Sequence, residues 1–278
     1  MLLLWLLLRL LLRLLLRLLL LLPAMVLLLL LSPPRSAPPP SARRRAVEML
    51  AKGRKKTAVE PEYVALEPDG SDAWRADAVV RTIQTGGVGV MPTDTGYTFV
   101  SSVTSKAGVE RILRLKGAAD ERKPLSLLCK DLATVDAYAL GIDRPMFKLL
   151  KTYLPGPYTF ILRASSKLPK QAYHDGKRQW KRSEIGVRIP GDPVCLAMLE
   201  QLDEPLLCST VPSPDGEVDF NPVEWCSLDD ADWCSQVDFV CDAGSRPVDG
   251  STVYDLSAIA DGEEPELLRE GLGELIAA

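Results

Sequence analysis

"VGVMPTDTGYTFV", Val88 to Val100, opens as a buried strand and closes as an apolar one. Between them stand Thr93, Asp94, Thr95, Gly96 and Tyr97. Two readings account for the interruption. Pro, Asp, Thr and Gly are turn residues: proline presets φ, glycine accepts positive φ, and short polar side chains bond their own backbone. The same residues also suit the rim of a ligand site, where hydroxyls and bare backbone hold a small molecule. On either reading two strands follow each other with no helix between them. A purely doubly wound sheet does not do this.

Outward from this stretch, helical and extended segments alternate. "SDAWRADAVVRTIQTGG" places Ala76, Val79, Val80 and Ile83 at helical spacing, with Ser71 or Asp72 as N-cap and Gly86 and Gly87 as the stop. "SKAGVERILRLKG", "DLATVDAYA", "DRPMFKLLKTYL" and "DPVCLAMLEQL" read as further helices. In the third of these Asp143 is the cap and Pro145 sits in the first turn, where its missing N–H costs nothing. "PLSLLC", "PYTFILRA", "IGVRIP", "PLLCS", "VDFVCDAG", "STVYDL" and "ELLREG" read as strands. The prediction is one α/β domain, a mixed sheet with helices packed on it, over residues 59–278.

The first 58 residues are set apart from that fold. They carry 11 Lys and Arg against one acid, Glu48, so the rest of the chain holds 22 basic and 36 acidic residues, a net of −14. Leucine dominates residues 2–31, interrupted by Arg9, Arg13 and Arg17, and a Ser/Ala/Pro/Arg segment follows. A basic, acid-free leader of this kind predicts organelle targeting, to a plastid or mitochondrion. A membrane anchor is the alternative, since the run approaches spanning length. A mis-assigned start, leaving a cytoplasmic protein, is the third. Contact with a membrane is expected only if the leader is retained. An acidic body argues against broad attraction to nucleic acid, though not against a local basic groove.

Cysteine and histidine usage narrows the chemistry. Cys129, Cys195, Cys208, Cys226, Cys234 and Cys241 form no CxxC pair, and His174 is the single histidine. No metal cluster is expected from that spacing. Reduced, buried thiols are expected, with a disulfide among the last three left open. A single histidine, in a charged loop and beside no nucleophile in sequence, argues against a Ser–His–Asp or Cys–His site. Neither GxxxxGK[ST] nor GxGxxG is present, and "GGVGV" precedes a strand rather than a helix. What remains is a set of polar points at strand ends. Lys116, Arg122, Lys123 and Arg188 supply positive charge. Thr93, Thr95, Thr159, Ser209, Thr210, Ser251 and Thr252 supply hydroxyls. Cations, hydroxyls and backbone amides around a concave sheet suit a phosphate-bearing ligand. Arg188 could instead pair with a carboxylate on a neighbouring strand.

These points, in this order, resemble the YrdC-like family, which includes the threonylcarbamoyl-AMP synthases. "PTDTGYTF" is similar to its Pro-Thr-(Glu/Asp)-Thr-x-Tyr-Gly segment and "LPGPYTFIL" to its Pro-Gly-Pro-x-Thr strand. "IGVRIPGDP" is similar to its Val-Arg-(Ile/Val)-Pro strand and "STVYDL" to its closing Ser-Thr-Val-x-Asp strand. The resemblance runs from about Trp74 to Gly273 and is nearest the YciO branch. It implies a twisted mixed sheet with a positively charged concave face and flanking helices. It also implies synthase chemistry, in which threonine, bicarbonate and ATP form threonylcarbamoyl-AMP for tRNA modification. ATP with Mg2+ would then be the substrate pair, and no tightly bound cofactor is expected.

Carried over residue by residue, the resemblance makes Thr93, Thr95 and Tyr97 candidates for a threonine-like ligand. Lys116, Arg122, Lys123, Thr159, Arg188, Ser209, Thr210, Ser251 and Thr252 become candidates for a nucleotide and its phosphates. Two departures stand out. Ala118 replaces the arginine of the family's Lys-x-Arg pair, and Val211, Pro212 and Ser213 replace its Ser-Ala-Asn. Both remove polar donors from the nucleotide end, which predicts a member that binds nucleotide, double-stranded RNA or both in a basic concave groove, with weak or no synthase activity. Lys177, Arg178, Lys181 and Arg182 crowd one short stretch. They read either as a solvated loop or as a rim that contacts the phosphates of RNA, tRNA or double-stranded.

Overall fold

The computed structural model describes residues 60–116, 124–169, 184–213, 218–227, 233–259 and 263–276. The opening stretch is a hairpin. Strand β2 (Gly89–Thr93) pairs antiparallel with β3 (Gly96–Ser102), with Thr93 opposite Gly96. Gly96 has φ 120°, and a Cβ there would stand 3.0 Å from the Pro247 carbonyl oxygen, so any other residue would be strained and crowded. The Thr93 hydroxyl donates to the Gly96 carbonyl at 2.6 Å, closing the turn.

The remaining elements, in chain order, are β1 (Glu62–Ala65), a 3-10 turn (Ala73–Ala76) and α1 (Asp77–Gln84) before the hairpin. After it come α2 (Lys106–Leu115), β4 (Ser126–Leu128), α3 (Leu132–Tyr138), β5 (Ala139–Leu140), α4 (Arg144–Tyr153) and β6 (Tyr158–Ala164). Then follow β7 (Glu184–Arg188), α5 (Pro193–Glu200), β8 (Leu206–Thr210), β9 (Asp219–Phe220), α6 (Pro222–Ser227) and a second 3-10 turn (Cys234–Gln236). The chain closes with β10 (Phe239–Asp242), β11 (Arg246–Pro247), β12 (Thr252–Asp255) and β13 (Glu266–Arg269). The main sheet has 11 strands in the order β1-β10-β2-β3-β8-β4-β7-β6-β12-β13, with β5 on β6. Parallel pairs (β4 with β7, β6 with β12) and antiparallel pairs (β3 with β8, β6 with β7) are mixed, as the sequence predicts.

Local signals set the helix starts. The side chains of Ser105, Asp131, Asp143 and Asp192 accept from the backbone N–H three residues on and cap α2, α3, α4 and α5. Each such cap is worth ~1 kcal/mol. The first helix departs from its prediction. Residues 71–85 do not form one capped helix: a 3-10 turn precedes α1, and Asp72 caps neither. Its carboxylate is taken instead by the Glu67 N–H at 2.7 Å and Arg75 Nη1 at 3.0 Å. The cysteine expectation also changes. Cys226 and Cys234 form a disulfide with Cα atoms 5.9 Å apart, while Cys129, Cys195, Cys208 and Cys241 are free and buried.

The sheet has two unequal faces. Alternation along each strand sends Tyr97, Phe99, Leu127, Phe160, Leu162, Val187, Leu207 and Tyr254 to one side. There they meet Val109 and Ile112 of α2, Val135 of α3 and Met146 and Leu150 of α4. Residues of the other parity, among them Met91, Val100, Leu128, Leu206 and Phe239, meet Val79 and Ile83 of α1 and Val194 and Met198 of α5. This second core takes no residue from β6, β7 or β12. Helices therefore cover only part of that face, and a cavity opens on the uncovered part.

Candidate functional site: a hydroxyl-lined cavity on the open face of the sheet

The cavity has a volume of about 710 Å3. Strand parity builds its floor. Glu184, Gly186 and Arg188 of β7 stand at i, i+2 and i+4, so all three face it, and Thr159 and Ile161 do the same from β6. Ser126 lies opposite Gly186 on one side and Cys208 on the other. Gly186 keeps the middle of the floor low: a Cβ there would stand 3.0 Å from both Ser126 Oγ and Thr159 Cγ2. Thr98 and Thr210 line the β3–β8 side, and Ser251, Val253 and Arg269 line the opposite wall. Lys116, at the C-cap of α2, reaches the same space. Among the described lining residues the cations Lys116, Arg188 and Arg269 face the carboxylates Glu184 and Asp249, so the cavity is only mildly positive.

Arg188 is 7% exposed and held from behind. Its Nη2 donates to Thr95 Oγ1 at 2.5 Å and to Asp94 Oδ1 at 3.2 Å. Asp94 Oδ2 accepts the Gly191 N–H at 2.8 Å. Arg188 Nε is buried with no hydrogen-bond partner. Arg188 therefore lines the cavity and also pairs with a carboxylate, one that comes from the hairpin turn rather than from a neighbouring strand. Burial pushes the Asp94 carboxyl above the usual range, against the downward pull of Arg188 and the Gly191 N–H. The hairpin turn acts here as a clamp on an arginine across the sheet.

The structure sorts the sequence candidates. Lys116, Thr159, Arg188, Ser209, Thr210 and Ser251 line the cavity together. Thr93, Thr95, Tyr97 and Thr252 are not among its lining residues. Tyr97 has the opposite parity from Thr98, so its ring enters the helix-covered core. Its hydroxyl donates to the Gly244 carbonyl at 2.6 Å and accepts the Ala243 N–H at 3.1 Å. Burial raises its pKa far above the ordinary phenol value. Thr252 has the opposite parity from Ser251; its hydroxyl donates to the Gly273 carbonyl at 2.7 Å and accepts the Gly271 N–H at 3.1 Å. Arg122, Lys123, Ala118, Lys177, Arg178, Lys181, Arg182, His174 and the leader lie outside the described residues.

Sequence reasoning missed Ser126, Gly186, Cys208, Asp249 and Arg269 as cavity residues. For Gly186 the signal was available, because it stands two residues before Arg188 on one strand. Arg269 offered none, since it arrives from the far edge of the sheet. Among the described residues no group of three or more His, Cys, Asp or Glu could hold a metal ion. No described helix is long and apolar enough to cross a membrane.

Comparison with known proteins places this geometry. The chain is 31% identical over 215 residues to the "Uncharacterized protein YciO" of Escherichia coli (strain K12), covering 77% of this chain and 97% of that one. The crystal structure of E. coli YciO superposes with a TM-score of 0.66 at 30% identity, over 77% of this chain and 97% of that one. The threonylcarbamoyl-AMP synthase of Homo sapiens is 28% identical over 189 residues, 68% of this chain and 58% of that one. The crystal structure of P. abyssi Sua5 complexed with L-threonine shares the fold, with a TM-score of 0.60 at 23% identity over 76% of this chain and 57% of that one. Residues 81–271 match the model of the Sua5_yciO_yrdC family, described as "Telomere recombination", and the chain belongs to that family.

Proposed function

We propose that the cavity binds a nucleotide, and that the chain forms threonylcarbamoyl-AMP from ATP, bicarbonate and threonine weakly or not at all. One observation carries the binding reading: three cations and the Thr159–Ser251 hydroxyl pair converge on a single cavity of about 710 Å3. That size lies within the ~300–1,000 Å3 typical of small-molecule sites. Cations and hydroxyls are the groups that meet phosphate and carboxylate oxygens. Relatives that carry the name threonylcarbamoyl-AMP synthase support a nucleotide as the ligand class.

The weak-turnover reading rests on what lines the other wall. Val211, Pro212 and Ser213, which stand in place of the synthases' Ser-Ala-Asn, border the cavity. Valine and proline side chains offer no hydrogen bond to a ligand. Ala118 stands in the sequence where the synthases carry an arginine, and the shorter Ser213 replaces their asparagine, which removes two donors. One charge-assisted hydrogen bond is worth roughly 1.5–3 kcal/mol, so losing both removes several powers of ten in rate. Duplex RNA does not fit inside a cavity of this size. RNA contact would fall to the 170–183 stretch, which lies outside the described residues.

The test combines a titration with an assay. Isothermal titration with ATP and Mg2+ should show binding. Incubation with ATP, bicarbonate and L-threonine should release little pyrophosphate. Absence of ATP binding would overturn the nucleotide reading. Robust, threonine-dependent pyrophosphate release would establish the synthase alternative instead.

A further inference from the structure

We infer that Arg269 is a positioning residue, which acts through Ser251 to aim the Thr159 hydroxyl proton at an anionic oxygen of the ligand. This inference rests on the reading that the cavity takes a nucleotide, alone or with an amino acid. The residues come from separate places: Arg269 ends edge strand β13, Ser251 precedes β12, and Thr159 lies in β6.

Ser251 Oγ is the hub. It accepts from Arg269 Nη2 at 3.1 Å and stands 2.7 Å from Thr159 Oγ1. A guanidinium can only donate, so that contact has one direction. Ser251 Oγ has a single proton, and with a cation donating to it that proton is more acidic and a better donor. Directed at Thr159 Oγ1, it occupies one of the threonine's lone pairs. The Thr159 proton is then left to point into the cavity. The opposite direction would have Ser251 accept two protons and turn its own elsewhere, which forgoes this polarisation.

Arg269 is itself fixed for the task. Its Nε and Nη2 both donate to the Ser251 carbonyl, at 3.1 and 2.8 Å. Gly250, at φ 77°, leaves the room it occupies, since a Cβ there would stand 3.3 Å from Nη2. The receiving end is equally well placed. Phe160 pairs with Val187, so the next pair along that register is Thr159 with Arg188. An oxygen anion above Thr159 would meet a hydroxyl proton and the guanidinium of the neighbouring strand together. Phosphate and carboxylate share this chemistry, and the probes below distinguish them.

Ser251→Ala is the decisive variant, because it cuts the relay and leaves the backbone carbonyl for Arg269 to grip. Thr159→Val removes the donor, and the double variant closes a cycle. Each protein is titrated with ATP, L-threonine and adenosine, and its melting temperature is recorded. Thr159→Val should weaken ATP or L-threonine, whichever supplies the anion. Ser251→Ala should weaken the same ligand about tenfold, equivalent to ~1.4 kcal/mol. The double variant should bind no more weakly than Thr159→Val alone, and Arg269→Met, which also removes a cation from the wall, should cost clearly less in the Thr159→Val background than in the wild type. Adenosine, which carries no anionic oxygen, should bind all variants equally, a result that a general loosening of the wall would not give. Additive losses, or no loss in Thr159→Val, would overturn the relay. A wild-type protein that binds neither ATP nor L-threonine would overturn the nucleotide reading first and this inference with it.

Discussion

Tyr97→Phe separates two roles for one residue. If Tyr97 belongs to a ligand site, losing its hydroxyl should weaken binding and leave stability nearly unchanged. The structure demands the reverse. The ring is 2% exposed, and its hydroxyl serves the Gly244 carbonyl at 2.6 Å and the Ala243 N–H at 3.1 Å. Both residues are buried, so water does not replace the lost partner. A buried backbone group left unpaired costs ~1–3 kcal/mol, and two are stranded here. Shared relaxation of the turn lowers the sum, and a loss of about 2–4 kcal/mol is expected. In a domain of this size ~1 kcal/mol shifts the melting temperature by ~2–4 °C, so a fall of roughly 4–16 °C should follow. Urea unfolding and thermal melting measure the stability, and calorimetric titration with ATP and L-threonine measures binding. Stability within ~0.5 kcal/mol of wild type, coupled with weakened ligand binding, would refute the structural assignment.

Asp94→Asn should destabilise the protein by roughly 1–3 kcal/mol at neutral pH, because both carboxylate oxygens accept, from Arg188 Nη2 and the Gly191 N–H, and the amide turns a donor toward one of these two donors. Burial holds the Asp94 carboxyl above its ordinary range, so folding favours its protonated form. Its titration adds stability as pH falls through the raised value toward ~3.9 and withdraws it as pH rises again. The gap between wild type and variant, read from urea curves, should therefore widen on acidification; a constant gap would count against it. Gly186→Val should abolish ATP binding at a stability cost of only ~1–3 kcal/mol, because the new side chain rises from the cavity floor against Ser126 and Thr159. Undiminished affinity in that variant would place the ligand elsewhere.

The sequence alone determined what depends on neighbours along the chain. Ser105, Asp131, Asp143 and Asp192 cap helices because a short polar side chain reaches an N–H three residues away, whatever the rest of the fold does. Alternation along "YTFILRA" and "EIGVR" likewise separates Thr159 from Phe160 and Arg188 from Val187 without any knowledge of the fold. The ordered motifs carried the family and with it the mixed sheet. Asp72 marks the limit of such local reading, since its carboxylate found Glu67 and Arg75 instead of a helix N-terminus.

Only the tertiary structure decided which parity faces the cavity. Tyr97 and Thr98 are equally plausible neighbours on a strand. Which one enters the core depends on α2, α3 and α4 packing on one side while α1 and α5 cover only part of the other. The same choice put Ser251 in the cavity wall and gave Thr252 to the closing segment. Strand order decided the rest. Arg188 meets Asp94 and Thr95 across 94 and 93 residues of chain, and Arg269 reaches Ser251 from an edge strand. The Arg269 contact forms because the backbone ladder sets β13 beside β12, within ~5 Å. The Arg188 contact spans the intervening strands β4 and β8, where a long side chain meets the hairpin turn. No side chain in either segment encodes that neighbour.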